Sequence, residues 1–224
     1  HQAALAAVLG DSSAAVRAKA VEALGNIGDA AAPTVPQLAG LLREDADEDV
    51  RREASRALGN LGAAAAERIP ELSRALETDK DFGVRTAAAK ALGKFGTASG
   101  GAVAALSGHL LREEFVFLRI TIAQVLGQLG ELAGPAAASL EEVLGAEAST
   151  APLREAVAAA LGELGPCAEP AAACLAQTAL GEHGDVGEAA LRALARLGAA
   201  AGPAVSVFEE ALGHQDGRVQ QRAA

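Results

Sequence analysis

One five-residue string recurs along this chain and limits what it can fold into. Leu-Gly-x-(Leu/Ile/Phe)-Gly stands at Leu24 to Gly28, Leu58 to Gly62, Leu92 to Gly96, Leu126 to Gly130 and Leu161 to Gly165, and Leu194 to Gly198 carries Ala195 for the first glycine. The steps between copies are 34, 34, 34, 35 and 33 residues. A fixed period of this length marks a stacked array, in which each unit buries its apolar face only against its neighbours. Eight residues before each leading Leu stands a branched apolar residue, Val16, Val50, Val84, Leu118, Leu153 or Val186, and Val219 opens a seventh copy.

Counted from that residue, apolar side chains fall at 0, +4, +7, +8 and +11, as in Val50, Ala54, Ala57, Leu58 and Leu61. This is one face of an α-helix. Gly at +12 stands where a helix ends on a left-handed residue. Another helix opens near Pro33, Glu67, Gly101, Pro135, Pro170 and Pro203, and carries Leu38, Leu72, Leu106, Leu140, Leu175 and Phe208 in one column. Proline suits the start of a helix because its missing N–H has no intrahelical partner there. Each copy is therefore a hairpin of two helices that cannot bury its apolar face alone.

Composition agrees with thin helical layers. Half of the residues are hydrophobic but only 2% are aromatic, with no Trp, Tyr or Met. A core of Ala, Leu and Val fills little volume per residue, so its helices must approach closely, and alanine is the strongest helix former. The net charge of -10 argues against whole-surface attraction to nucleic acid or anionic membrane. No apolar run reaches the ~20 residues needed to cross a bilayer. Two cysteines, Cys167 and Cys174, are too few for a disulfide framework or a structural zinc site, and point to a reducing, intracellular and soluble setting. The chain opens on His1 and stops inside a repeat, so it is expected to be part of a longer protein.

With Asp in the turn between helices, Val-Arg opening the second helix and Ala-Leu-Gly-x-Leu-Gly closing it, the whole chain resembles the HEAT-like repeat family, a repeat type also found in bilin lyases. The resemblance implies an all-α, right-handed solenoid of stacked antiparallel hairpins. Its repeats run about 1–28, 29–62, 63–96, 97–130, 131–165, 166–198 and a truncated 199–224 in one array. In that family the turn acid and the helix arginine form a ladder between adjacent repeats. Here the pair recurs six residues apart as Asp11/Arg17, Asp45/Arg51, Asp79/Arg85 and Glu113/Arg119. Arg154 lacks an acid six residues before it and Gly187 replaces the arginine of the sixth copy, so a weaker ladder is expected there.

The resemblance also implies a concave surface lined by the +3, +6 and +10 positions of the second helices. These carry six basic and three acidic residues, a local excess of +3. Lys90, Lys94, Arg192 and Arg196 are candidates for an acidic partner segment, set against the plain reading of a solvated helix face. The fourth copy departs most from the pattern, with Phe115, Val116, Phe117, Leu118, Ile120 and Ile122. Phe117 and Ile120, with Gln124 and Gln128 further along the helix, are candidates for a partner contact. The plainer reading, local thickening of the core, is preferred for the apolar residues.

Catalytic patterns are thin. His1, His109, His183 and His214 lie apart near turns and read as surface residues. No His is followed by Glu, the pair through which the HEAT-like hydroxylase acting on deoxyhypusine holds iron. No cofactor or metal is expected. The leading expectation is a non-enzymatic scaffold that binds a protein or peptide. The alternatives are a bilin lyase-like subunit, which would need thiol or phenol groups at a cleft, and nucleic-acid binding along the basic strip.

Overall fold

The computed structural model describes residues 2–182 and 184–212. His1, His183, His214 and Val219 lie outside the described residues. Among those described, the chain forms thirteen α-helices and no strand. The first helices of the repeats are α1 (Gln2–Ala7), α3 (Val35–Glu44), α5 (Ile69–Thr78), α7 (Val103–Arg112), α9 (Ala137–Gly145), α11 (Ala172–Gly181) and α13 (Gly202–Leu212). The second helices are α2 (Ala14–Ile27), α4 (Glu48–Leu61), α6 (Phe82–Lys94), α8 (Val116–Leu129), α10 (Ala151–Glu163) and α12 (Asp185–Leu197). This is the α-solenoid architecture that the period predicts.

The second helices end one or two residues before the closing glycine of their motif: α4 and α8 stop just before Gly62 and Gly130, whose φ values of 50° and 58° fall where a side chain would be strained, while α6 and α10 end at Lys94 and Glu163. Each following α-helix opens within two residues of the position read from the sequence, and Pro203 is the second residue of α13. Gly28–Thr34, Gly130–Ala136 and Gly165–Ala171 are 3-10 helices that contain Pro33, Pro135 and Pro170, and the α-helix starts one or two residues later. These small Ala-rich segments wind tightly between the layers, and Ala31, Ala133 and Ala168 in them are fully buried.

The chain divides into two compact units, His1–His109 and Leu110–Ala224. In the first, α2, α4 and α6 pack side by side and α3 and α5 lie against α4 and α6. Val50, Leu58, Val84 and Leu92 are fully buried in this layer, as are Leu38 and Leu72 from the first helices. Val16 holds the same register on α2, which has a second helix on one side only, and is 40% exposed. In the second unit α8, α10 and α12 form the corresponding layer, with α9 and α11 against α10 and α12.

The first glycine of each motif sets how closely the second helices approach. A methyl group on Gly25 would lie 2.8 Å from Ala57 Cα, on Gly59 2.8 Å from Ala91 Cα, and on Gly162 2.8 Å from Ala193 Cα. Side-chain carbon does not come that near to backbone, so glycine here faces alanine at +7 of the next copy. At Gly127 the distance to Ala160 Cα opens to 3.1 Å.

One stretch is long and apolar enough by composition to cross a membrane, contrary to the expectation from the sequence. Val116–Gly145 is not one helix, however, because α8 ends at Gly130 and a 3-10 segment precedes α9, and half of its most apolar window is buried.

Candidate functional site

The ladder between repeats is built differently from the six-residue pairing. Arg51 Nε and Nη2 donate to Asp79 Oδ2 and Oδ1 at 2.8 and 3.0 Å, while its Nη1 donates to the main-chain carbonyl of Asp45 at 2.9 Å. Arg17 does the same with Asp45 Oδ2 and Oδ1, at 2.8 and 2.7 Å, and with the carbonyl of Asp11, at 2.8 Å. Arg85 donates to the Asp79 carbonyl at 2.9 Å. The acid six residues upstream thus offers its backbone, and the carboxylate that takes the charge lies 28 residues downstream. Each turn acid also accepts the N–H two residues on, as Asp45 Oδ1 does from Asp47 at 3.0 Å. The Arg17 hydrogen bond holds the Asp45 carboxyl below its ordinary range against the opposing effect of burial.

This geometry moves the weak rung. Arg154 does have an acid: its Nη1 donates to Glu182, 28 residues on. Arg119 is the one left out, because its Nε turns to the Leu110 carbonyl at 3.0 Å and it forms no ion pair among the described residues. Glu113 Oε1 accepts the Phe115 N–H at 3.0 Å, as the other turn acids accept theirs. Glu147 stands 28 residues after Arg119, but α9 ends early at Gly145 and the turn to α10 is longer. Ser149 closes that turn, donating from Oγ to the Val143 carbonyl at 2.7 Å, and Glu147 is left exposed. At Gly187 a methyl group would meet the Glu182 carbonyl at 2.4 Å, so the tighter sixth turn has no room for a side chain there.

The seam between the fourth and fifth repeats therefore lacks a ladder rung, and its glycine stands further from the facing alanine than Gly25, Gly59 and Gly162 do from theirs. A cleft of about 950 Å³ opens there between α8 and α10, lined by Ile120, Gln124 and Gln128 on one side and by Pro152, Glu155 and Glu163 on the other. Phe117, Ile120, Gln124 and Gln128 follow one stripe of α8, three or four residues apart. Phe115 and Phe117 are 50% and 60% exposed, so thickening of the core does not account for them; Leu118 and Ile122 are the core residues of this segment. Phe115 also occupies the N-cap of α8 without any side-chain cap. Asp47 caps α4 through the Asp49 and Val50 N–H groups, and Asp81 caps α6 through that of Val84, whereas Ser13, Thr150 and Gly184 open α2, α10 and α12 without a side-chain cap; Phe115 differs from all of these in being a large apolar residue.

The basic strip is partly offset. Along it Lys19 pairs with Glu22, Arg56 with Glu53 and Arg196 with Glu163, and Arg192 lies 3.6 Å from Glu188. Lys94 donates to Asn60 Oδ1 at 2.6 Å, a neutral partner, and Lys90 is exposed beside it. The +3 positions Ala87, Thr121 and Ala189 are buried, so the exposed strip narrows to +6 and +10 in those copies. His109 is buried on α7 rather than at the surface. Cys167 is exposed, and burial raises the Cys174 thiol above its usual range. Among the described residues no group of three or more His, Cys, Asp or Glu side chains is placed to hold a metal ion.

Comparison with known proteins places these repeats. The family of HEAT repeats matches residues 35–127 and the PBS lyase HEAT-like repeat matches residues 16–43. No curated protein matches the sequence. Among solved structures, that of Kap121p superposes with a TM-score of 0.74 at 16% identity, covering 99% of this chain and 28% of that one. A structure concerned with the interaction between cadherin and beta-catenin superposes at 0.57 and 18% identity, covering 99% and 50%. Human deoxyhypusine hydroxylase reaches 23% identity over 88% and 84% of the two chains, with a TM-score of 0.49. With the motif register and the helix pairs in agreement, this is a HEAT-like repeat protein.

Proposed function

We propose that this protein is a scaffold that holds a partner protein at the seam between its fourth and fifth repeats. One observation carries the reading. The start of α8 exposes three large apolar residues, Phe115, Val116 and Phe117, one turn before Ile120, which lines the α8–α10 cleft. Natural sequences break local rules of surface polarity chiefly where function requires it. The superposed structures give the fold context: one Kap121p structure is bound to Nup53p, and another concerns cadherin and beta-catenin. The 34-residue step from Leu92 to Leu126 is kept across the boundary at residues 109 and 110, and we take the chain as one repeat array.

A bilin lyase-like role calls for thiol or phenol groups at a cleft, and neither Cys167 nor Cys174 lines the α8–α10 cleft. In the first unit Lys90 and Lys94 form a second candidate contact, for an acidic segment. Lys94 supports it, because its hydrogen-bond partner leaves its charge uncompensated. Retention of unchanged binding by a Lys90→Glu, Lys94→Glu variant at low salt would remove that contact.

The test of the seam uses the chain immobilised beside Ile120→Asp, Phe117→Asp and, as a control at an exposed apolar residue elsewhere, Val205→Asp. A partner held by the parent and by Val205→Asp but released by both seam variants supports the proposal. A partner held equally by all four would exclude the seam.

A further inference from the structure

The two walls of the cleft run in register, and matching their levels shows what it can recognise. Ile120 and Glu155 each stand two residues after the branched residue that opens their copy, Leu118 and Leu153. Gln124 matches Ala159, and Gln128 matches Glu163. One turn before Ile120 and Glu155, Phe117 and Pro152 hold the same position in their copies, Pro152 at the cleft wall and Phe117 exposed on α8. From one end to the other the cleft is thus apolar, then apolar beside acidic, then amide beside a small residue, then amide beside an acid.

The two acids differ. Glu163 is paired with Arg196, whereas Glu155 forms no ion pair among the described residues, and neither Lys nor Arg lines the cleft. Gln124 and Gln128, four residues apart on α8, are separated by about 6 Å along the axis. That is close to the two-residue repeat of an extended chain, roughly 6.6 Å. A primary amide both donates and accepts, so this pair can meet successive N–H and C=O groups on one edge of an extended segment.

We infer that the seam takes an extended segment of another protein in which an apolar residue is followed two residues on by a basic one, so that both side chains lie on the face turned to the cleft. The apolar side chain rests on Phe117 and Pro152. The basic side chain lays its methylenes along Ile120 and its charge on Glu155, as long cationic side chains do beside apolar surface. The two glutamines hold the main chain. This rests on the proposed role of the seam and adds the chemistry of its occupant, opposite in sign to the acidic segment considered for Lys90 and Lys94.

Three end-blocked, fluorescein-labelled nonapeptides on a Ser/Thr background, with Ile-Ser-Arg, Ile-Ser-Glu or Ser-Ser-Arg at the centre (the Ile-Arg, Ile-Glu and Ser-Arg peptides), test it by anisotropy against the full chain at low salt. The Ile-Arg peptide is expected to bind at least about tenfold more tightly than either of the others, a gap of roughly 1.4 kcal/mol. In Glu155→Gln, an exchange of similar size at a partly exposed position, the gap between the Ile-Arg and Ile-Glu peptides is expected to fall to within about twofold. Equal binding of those two peptides, lost in Ile120→Asp, would overturn the charge inference while leaving the seam as the binding surface. Absence of binding by all three would overturn the inference too, and the immobilised-chain experiment would then decide the scaffold reading separately.

Discussion

At the scale of single residues, the arginine that opens each second helix has a value set by where its carboxylate lies. Arg51 and Asp79 are each under a tenth exposed and share two hydrogen bonds, so removing the guanidinium strands an almost buried carboxylate. Arg51→Ala should therefore lower the unfolding free energy by about 2 to 3 kcal/mol in urea titration. Arg119→Ala, which loses only a bond to the Leu110 carbonyl, should cost about 1 kcal/mol. Equal losses would show that the missing rung makes no difference. Phe115 supplies the opposite case. As an uncapped N-cap with half of its surface exposed, it sacrifices local stability. Phe115→Asp should raise stability by up to about 1 kcal/mol and weaken retention of a partner at the seam. A variant that lost stability would mean that the phenyl ring contributes more to folding than the absent cap.

At the scale of helices, what was legible in the sequence was what each copy fixes within itself. The face at 0, +4, +7, +8 and +11 and the closing glycine lie within thirteen residues, so the helices and their ends follow from local pattern. The partners across repeats did not. The resemblance implies a ladder between adjacent repeats, and Arg17 with Asp45 forms one, but the six-residue spacing of Asp11 and Arg17 does not show which carboxylate an arginine takes, so it does not reveal Glu182 as the partner of Arg154. Glu147 fails in the other direction. It has the right spacing from Arg119, but the early end of α9 takes it out of reach, and only the course of that turn shows it. The exposure of Phe117 depends likewise on what covers α8, which no spacing within one copy records. The first glycine of the motif also acts across repeats, which gives a paired test. Gly59→Ala drives a methyl to 2.8 Å from Ala91 Cα and should cost about 1 to 3 kcal/mol. Gly127→Ala meets Ala160 Cα at 3.1 Å, where the helix propensity gained, about 1 kcal/mol, offsets much of the strain. If Gly127→Ala proved the more damaging in thermal unfolding, the fourth seam would not be the loose one.

At the scale of the whole molecule, a repeat array is held together by nearest-neighbour interfaces, so a condition that weakens every rung weakens the array. Acid is such a condition. The Asp45 carboxyl is held below its ordinary value first by the hydrogen bond from Arg17, then by the Asp47 N–H and the charges of Arg17 and Arg51, with burial opposing them. A carboxyl whose folded value lies below its unfolded value contributes stability that is fully present above the unfolded value, about 3.9 for aspartate. That contribution is lost as pH falls through the lower, folded value. The guanidinium groups of Arg17 and Arg51 are shifted upward by their partners and stay charged throughout, so the loss is the carboxylate's alone. Protonation of the other acids in a chain of net charge -10 relieves self-repulsion over the same range, and works against the loss. The urea midpoint should accordingly change little from about pH 7 to about pH 5 and fall below about pH 4. Asp45→Asn, whose amide cannot titrate, should start from a lower midpoint at neutral pH and show a shallower fall in acid. If the variant fell as steeply as the parent, acid would be breaking something other than this rung.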